Sequence, residues 1–381
     1  MRIVHTCLRY PPATGGVETY VREIVERSRD VAAGRDVRVL TSKMRTHGPI
    51  TELDPELLVD DPPYIQRLHH AATPVYSYPR LQALSYYLKH HAPDIVHGYG
   101  FWYQPADVTA RFAHQHQLPF IFHPMYYEND VRRKLSWQLY KKLWGERTFE
   151  LADVVVVISP YEQQLIERAG FPVKRFALIP PGVELKHYQH PRENPYHKRT
   201  IHGKIILVVG RIATSKGIDE LLSILPQLRK EQPEAQVVII GEDFGAKVEL
   251  TAQAERLGVS DIIHWWGKVD QEELLGAYQH ADVFVHLSHY EAFGIVLIEA
   301  MAAGLPVVAR NVAAVPYVVP DQQAGLLFND AQELQRALIA LLTNPTLSTR
   351  LKAAGIERVA KHFTWDSSIK KVLALYHDLR P

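Results

Sequence analysis

The chain has 381 residues, 46% hydrophobic and 22% charged, with a formal net charge of +1 at pH 7. That length predicts two domains and the composition is globular, while the near-neutral balance leaves no electrostatic footprint for a nucleic-acid partner. Its one cysteine, Cys7, excludes an internal disulfide and any multi-cysteine metal site; with no leader-like apolar stretch and no apolar run near the ~18 residues of a membrane span, a cytoplasmic enzyme is expected.

In chain order, Arg2 to Thr6 reads as a strand, followed by a loop with Pro11, Pro12, Gly15 and Gly16. A helix is predicted over Glu18 to Ser28, with Val17, Val21, Ile24 and Val25 on its apolar side. Strand, glycine loop and helix together can present backbone N–H groups to an anion, although the spacing is not GxGxxG and the glycine pair fits a structural turn as well. Val37 to Thr41 is a second strand, and the Pro-, His- and Tyr-rich region from Arg45 to Pro79 reads as an irregular or partly stranded insertion. A helix over Leu81 to His91, a strand over Asp94 to His97, a helix over Ala106 to Gln115 and a strand over Pro119 to His123 continue the alternation of a doubly wound sheet. His97 and His123 fall at strand carboxyl ends, where an imidazole serves as donor, base or packed polar group.

From Asp130 to Thr148, Arg132, Arg133, Lys134, Lys141, Lys142 and Arg147 alternate with Leu135, Trp137, Leu139, Tyr140, Leu143 and Trp144. Such a helix suits an anionic membrane surface, and equally a packed domain helix with one solvated basic face. A strand over Ala152 to Ser159 and a helix over Tyr161 to Ala169 lead to Ile179-Pro-Pro-Gly-Val-Glu184, and the stretch from Lys186 to His202 reads as the domain boundary. The second domain opens with the strand Lys204 to Val209, the turn at Gly210, and a loop carrying Arg211 and Lys216 before Gly217 and the helix Ile218 to Leu228. Two cations beside a helix start suit a diphosphate, although no P-loop pattern is present.

Strands over Gln236 to Ile240 and Ile262 to Trp265 and helices over Lys247 to Leu257 and Gln271 to His280 follow, with Trp266 and Val269 placed to border a planar base. The stretch from Asp282 to Asn311 then gives a buried strand, Val283 to Leu287, a loop with Glu291, Phe293 and Gly294, a helix from Ile295 to Ala303, and a further strand from Val307. Its loop belongs at the carboxyl end of the sheet, where such folds bind ligands. Glu291 and Glu299 can line one side of a site, or act as a helix cap and a solvated surface residue. Gly325 to Phe328 reads as an edge strand, and helices over Ala331 to Leu342, Leu347 to Val359 and Trp365 to Leu379 complete the chain. The twenty histidines form no compact ligand set, so no metal is expected.

The combination of Gly15-Gly-Val-Glu18, Ile179-Pro-Pro-Gly-Val-Glu184, Gly210-Arg211 with Lys216-Gly217, and Glu291-Ala-Phe-Gly-Ile295 with Glu299 resembles the retaining glycosyltransferases of the large family 4. The resemblance covers almost the whole chain and implies the GT-B architecture, two Rossmann-like α/β/α domains facing a central cleft. The corresponding divisions are residues 1–185 on the acceptor side, 186–364 for the nucleotide-sugar, and a C-terminal helix, 365–381, returning to the first domain. It further implies a GDP- or UDP-hexose donor and a glycan, glycolipid or lipid-linked acceptor, with no cofactor or metal. By this likeness Arg211 and Lys216 contact the diphosphate, Glu299 the ribose, and Glu291 the donor sugar. Backbone groups of Phe293, Gly294 and Ile295 reach sugar and diphosphate, Gly16 approaches the phosphates, and His123 matches the family's active-site histidine. Pro181 departs from the asparagine common before Gly-Val and implies a stiffer connecting loop. A nucleotide-sugar epimerase and a noncatalytic nucleotide-sugar or glycan-binding protein are the alternatives. A peripheral location at the inner face of the cell membrane is expected if the 130–148 segment meets lipid.

Overall fold

The computed structural model describes the chain except residues 14, 31–32, 46–51, 59, 72–77, 128–134 and 381. It divides into two compact units, Met1–Pro180 with Ser368–Pro381, and Pro181–Ser367.

In the first unit β1 (Arg2–Thr6), β2 (Asp36–Ser42) and β3 (Ile65–Leu68) precede a short antiparallel pair, β4 (His70–Ala71) and β5 (Arg80–Leu81). Then come β6 (Ile95–Tyr99), β7 (Phe120–His123), β8 (Val154–Val157) and β9 (Phe176–Leu178). The main sheet has the order β3-β2-β1-β6-β7-β8-β9 and all its pairings are parallel. Runs such as Val154–Val157 are apolar throughout because helices cover both faces of a parallel sheet. β3 lies in the region read as irregular or partly stranded. Its Arg67 is half-buried with its side chain covered, paired with Asp61 at 2.5 Å and donating to the carbonyls of Pro11 at 2.5 Å and Ser42 at 3.2 Å. A charged side chain therefore ties β3 to the loop after β1, where a hydrophobic pattern would ordinarily mark the strand.

The segment from residue 135 is helical over Leu135–Tyr140, widens to a π turn over Lys141–Gly145 and resumes over Glu146–Leu151. Tyr140 is buried and its hydroxyl donates to Asp107 at 3.0 Å, while Trp137 packs on the apolar core of this unit. Lys141 donates to the carbonyl of Ala169 at 2.5 Å. Leu135, Leu139 and Leu143, spaced by four, are 80%, 55% and 52% exposed. The rings expected at a surface thus mostly face inward and leucines face out. Arg132, Arg133 and Lys134 lie outside the described residues.

The helix Trp365–Asp378 joins the first unit from Ser368 onward. It buries Ile369, Val372, Leu375 and Tyr376, and Ser368 donates its hydroxyl to the carbonyl of Pro180 at 2.7 Å. Tyr376 enters a buried group of imidazoles and phenols on one face of the sheet. Alternation along the strands puts His5, His97, Tyr99 and His123 on the same side, with His5 opposite His97 and Tyr99 opposite His123 in register. The Tyr376 hydroxyl lies 3.0 Å from His97 Nδ1 and 3.2 Å from His5 Nε2, and His5 Nδ1 lies 3.0 Å from the Tyr99 hydroxyl.

Burial holds all three histidines neutral, taking His5 down to about 3 and His97 and His123 well below the ordinary value. A histidine whose folded value is depressed contributes stability that is complete above the unfolded value, near 6.5, and is lost as pH falls toward the folded one. Each such group should steepen the dependence by about 1.4 kcal/mol per pH unit in that window. We therefore expect the melting temperature to fall between pH 6.5 and pH 4. His123→Phe, which removes a group with no hydrogen-bond partner on either ring nitrogen among the described residues, should flatten that slope. An unchanged slope in the variant would show that His123 is not among the titrating groups.

In the second unit β10 (Lys204–Val209), β11 (Ala235–Ile240), β12 (Ile263–Gly267), β13 (Val283–His286), β14 (Val307–Arg310) and β15 (Leu326–Phe328) form a parallel sheet ordered β12-β11-β10-β13-β14-β15. Its main core unites Leu221, Leu222 and Leu225 of helix Ile218–Glu231 with strand residues such as Ile206, Val237 and Val285, and with Leu334 and Leu338 of helix Ala331–Thr343. The stretch read as a boundary, 186–202, carries short helices Leu185–Gln189 and Pro195–Lys198 and belongs to this unit. Gln279 fixes it, donating to the carbonyls of Tyr188 and His190 at 2.7 Å each and accepting from the Arg192 N–H at 2.9 Å.

Candidate functional site

The second sheet reverses its order between β10 and β13, and folds of this kind bind ligands at the carboxyl ends of the strands beside such a reversal. From β10 the chain passes Gly210 and Arg211 to a 3-10 turn, Thr214–Lys216, and then Gly217. From β13 it passes Leu287 to Gly294 and enters helix Ile295–Ala302.

Gly217 joins the two loops closely. Its φ is +65°, and a Cβ there would lie 2.4 Å from the carbonyl oxygen of Leu287, so any other residue meets both strain and overlap. The His289 N–H donates to the Ser215 carbonyl at 3.1 Å, and Arg310, at the end of β14, donates to the Leu287 carbonyl at 3.0 Å while pairing with Glu220.

This stitching brings Lys216 and Glu291 together. Lys216 Nζ and His286 Nε2 lie 3.3 and 3.2 Å from Glu291 Oε2. An ionised carboxylate only accepts, so His286 donates to it from Nε2, while the buried Nδ1 has no hydrogen-bond partner among the described residues. Burial alone would raise the Glu291 carboxyl, but the hydrogen bond from His286 and the charge of Lys216 outweigh it and hold the group down at about 2. Glu291 is not a helix cap, because the N-cap is Gly294, at φ 91°, and no side chain caps that helix. Arg211 is exposed, has its guanidinium carbon 5.2 Å from the Phe244 ring centre, and pairs with no carboxylate among the described residues, which leaves its charge available to an anion.

Glu299 is half-buried and is no freely solvated residue: Tyr188 donates to Oε1 and Tyr278 to Oε2, each at 3.0 Å. Phe293 is buried, with its ring edge-on to Phe363. Gly294 and Ile295 stand at the helix start, whose first N–H groups have no intrahelical acceptor. Val269 is half-buried in the turn after β12. Trp266 lies beneath Arg199 and Tyr196, at 4.4 and 5.3 Å, so packing within the unit accounts for it rather than a base.

In the first unit Gly16 is exposed and begins helix Gly16–Ser28. Glu18 turns inward to pair with Arg9 at 2.5 Å, and a Cβ at Gly15 would meet that carboxylate at 2.2 Å. His123 is fully buried against His97, Tyr99 and Tyr20. Burial keeps its imidazole neutral, and neither ring nitrogen has a hydrogen-bond partner among the described residues. The sequence reading omitted His286; its position at a strand carboxyl end five residues before Glu291 was the available signal. Nothing local marks Tyr188 or Tyr278, which reach Glu299 from elements distant in sequence. Among the described residues no group of three or more His, Cys, Asp or Glu is arranged to hold a metal ion.

Two family profiles match the chain, "Glycosyl transferase 4-like domain" over residues 15–182 and "Glycosyl transferases group 1" over residues 195–358. The D-inositol 3-phosphate glycosyltransferase of Segniliparus rotundus is 31% identical over 212 residues, which is 53% of this chain and 47% of that protein. The chain thus spans about half the length of this curated relative. The sucrose-phosphate synthase of Thermosynechococcus elongatus is 25% identical, with a TM-score of 0.77 covering 99% of this chain and 98% of that one. Anabaena HepE, solved with UDP-glucose, is 17% identical with a TM-score of 0.79 over 99% and 100% of the two chains. With a glycosyltransferase profile on each Rossmann-like unit and that fold shared nearly end to end, the chain belongs to the glycosyltransferases of the GT-B fold.

Proposed function

We propose that the chain is a retaining glycosyltransferase that moves a hexosyl group from a GDP- or UDP-linked donor to a hydroxyl of a glycan, glycolipid or lipid-linked acceptor. The observation that carries this reading is the cluster at the reversal of the second sheet, where Lys216 and His286 hold an ionised Glu291 and the loop that brings Lys216 there also carries the exposed cation Arg211. Transfer from a nucleoside diphosphate needs the charge growing on the departing phosphate to be met by fixed cations and helix-end amides. Arg211, Lys216 and the N-terminal end of helix Ile295–Ala302 are such groups. Glu291, held in one orientation by two donors, suits the role of accepting hydrogen bonds from sugar hydroxyls, and Glu299 from ribose. HepE's complex with UDP-glucose supports a donor of this class. In the proposed front-face reaction the donor's glycosidic C–O bond breaks as the acceptor oxygen bonds the same face of the anomeric carbon, and the acceptor proton passes to the departing phosphate oxygen. The test is a screen of GDP-mannose and several UDP-hexoses against glycan, glycolipid and sugar-phosphate acceptors, with the anomer read by NMR. A product with the donor's configuration supports the reading; an epimerised donor, or binding without turnover, replaces it with an epimerase or a binding protein.

The exposed leucine row also favours a membrane-borne acceptor met by segment 135–148. Leu135, Leu139, Leu143 and Trp144 present apolar surface, and Lys142 is exposed beside them. No helix among the described residues is long and apolar enough to cross a membrane, so contact would be peripheral. We expect binding to anionic vesicles to exceed binding to neutral ones and to weaken with salt. Leu139→Glu with Leu143→Glu should reduce vesicle binding at least tenfold without lowering the affinity for nucleotide. Equal sedimentation of parent and variant with anionic vesicles would remove this surface from consideration.

A further inference from the structure

We infer that Tyr188 and Tyr278 are positioning residues that aim Glu299 at the vicinal diol of a ribonucleoside diphosphate. The inference rests on the reading of the second unit as the nucleotide-sugar site. Glu299 receives one phenol on each carboxylate oxygen, Tyr188 on Oε1 and Tyr278 on Oε2, both at 3.0 Å. Each oxygen of a carboxylate accepts two hydrogen bonds, so each retains one place for a further donor. Two adjacent open acceptors in one plane match the two adjacent hydroxyls of a furanose diol. One phenol would leave the carboxylate free to rotate about its last bond; two on different oxygens fix that rotation.

Both phenols are themselves held. Tyr278 is fully buried in helix Gln271–His280, with its ring 5.8 Å from that of Phe284. Its neighbour Gln279 binds the carbonyls of Tyr188 and His190 and so fixes the backbone that carries the other phenol. Burial pushes the Glu299 carboxyl up, and the hydrogen bonds from Tyr278 and Tyr188 act against that rise, favouring the ionised form that only accepts. The two phenols thus orient the carboxylate, one on each oxygen, and do so without supplying a counter-charge.

The measurement is calorimetric binding of UDP and GDP, and of their 2′-deoxy and 3′-deoxy analogues, to the full chain and to Tyr188→Phe, Tyr278→Phe and Glu299→Gln. The parent should prefer the ribonucleotide by about tenfold, equivalent to ~1.4 kcal/mol. Either phenylalanine variant should lower that preference to about twofold while binding the deoxy analogues as the parent does, and Glu299→Gln should abolish it. A phenol that only satisfied a buried carboxylate would change the melting temperature without changing this ratio. A parental ratio in both phenylalanine variants overturns the inference alone and leaves the nucleotide site standing. Failure of the parent to bind any of these nucleotides overturns the inference together with the functional reading beneath it.

Discussion

Lys216→Ala is expected to lower the turnover of the proposed transfer about 100-fold or more, with Arg211→Ala close behind. Removing one preorganised group that faces developing charge costs roughly 3 kcal/mol, about two orders of magnitude in rate. The two variants should differ because their surroundings differ. Arg211 is exposed and pairs with no carboxylate among the described residues, so its loss withdraws a charge and little else. Lys216 also lies 3.3 Å from Glu291, so its loss leaves that carboxylate with the His286 hydrogen bond as its remaining partner. Lys216→Ala should therefore reduce melting temperature as well as kcat, whereas Arg211→Ala should spare stability. Steady-state kinetics beside thermal unfolding decides the matter: near-parental kcat in both folded variants would reject charge stabilisation by this pair.

Glu291→Gln should be almost as damaging, through the chemical step rather than donor affinity, with kcat falling about 100-fold and KM changing far less. An amide keeps the shape and, with its oxygen in the place of Oε2, still accepts from His286 and Lys216, but it loses the negative charge and puts a donor in the place of Oε1, which can then no longer accept from a sugar hydroxyl. The stability consequence has a definite sign. A carboxyl held at about 2, against an ordinary value of 4.5, contributes stability that is complete above pH 4.5 and is lost as pH falls toward 2. At pH 7 the contribution is on the order of 3 kcal/mol at most. The difference in unfolding midpoint between parent and Glu291→Gln should thus be widest near neutrality and close as pH is lowered through 4. A constant difference from pH 7 to pH 3 would show that Glu291 is not held ionised by its neighbours.

The parallel sheets were legible where their strands are apolar on both faces: Lys204–Val209 has the bounds expected of it, and the strand before Glu291 ends one residue earlier than expected. β3 was obscure because Arg67, which secures it, is a residue that ordinarily marks a surface. The loop bearing Glu291 could be placed from the strand-loop-helix order, but the partner that fixes its charge could not, since a histidine at a strand end packs, donates or binds with the same local sequence. Segment 130–148 illustrates a different limit. Aromatic and basic residues alternate there with no period that says which ring turns inward, and Tyr140 is drawn in by Asp107, 33 positions earlier. Trp266 likewise fits a base platform by position, and only the distant Arg199 and Tyr196 show that its surface is taken.

The first unit is completed by residues from the far end of the chain, and this sets an order for synthesis on the ribosome. Tyr376 supplies the hydroxyl between His5 and His97, and Ile369, Val372 and Leu375 cover the same unit, yet all are translated only after the whole of Pro181–Ser367. At about 5–20 residues per second the nascent first sheet waits roughly 10–40 s with one face lacking its final helix. The second unit, drawn from one continuous stretch, can close while that wait continues. A nascent chain halted near Ser367 would therefore hold an unfinished amino-terminal half beside a finished successor, and would be a substrate for chaperones or proteases until the last helix emerged.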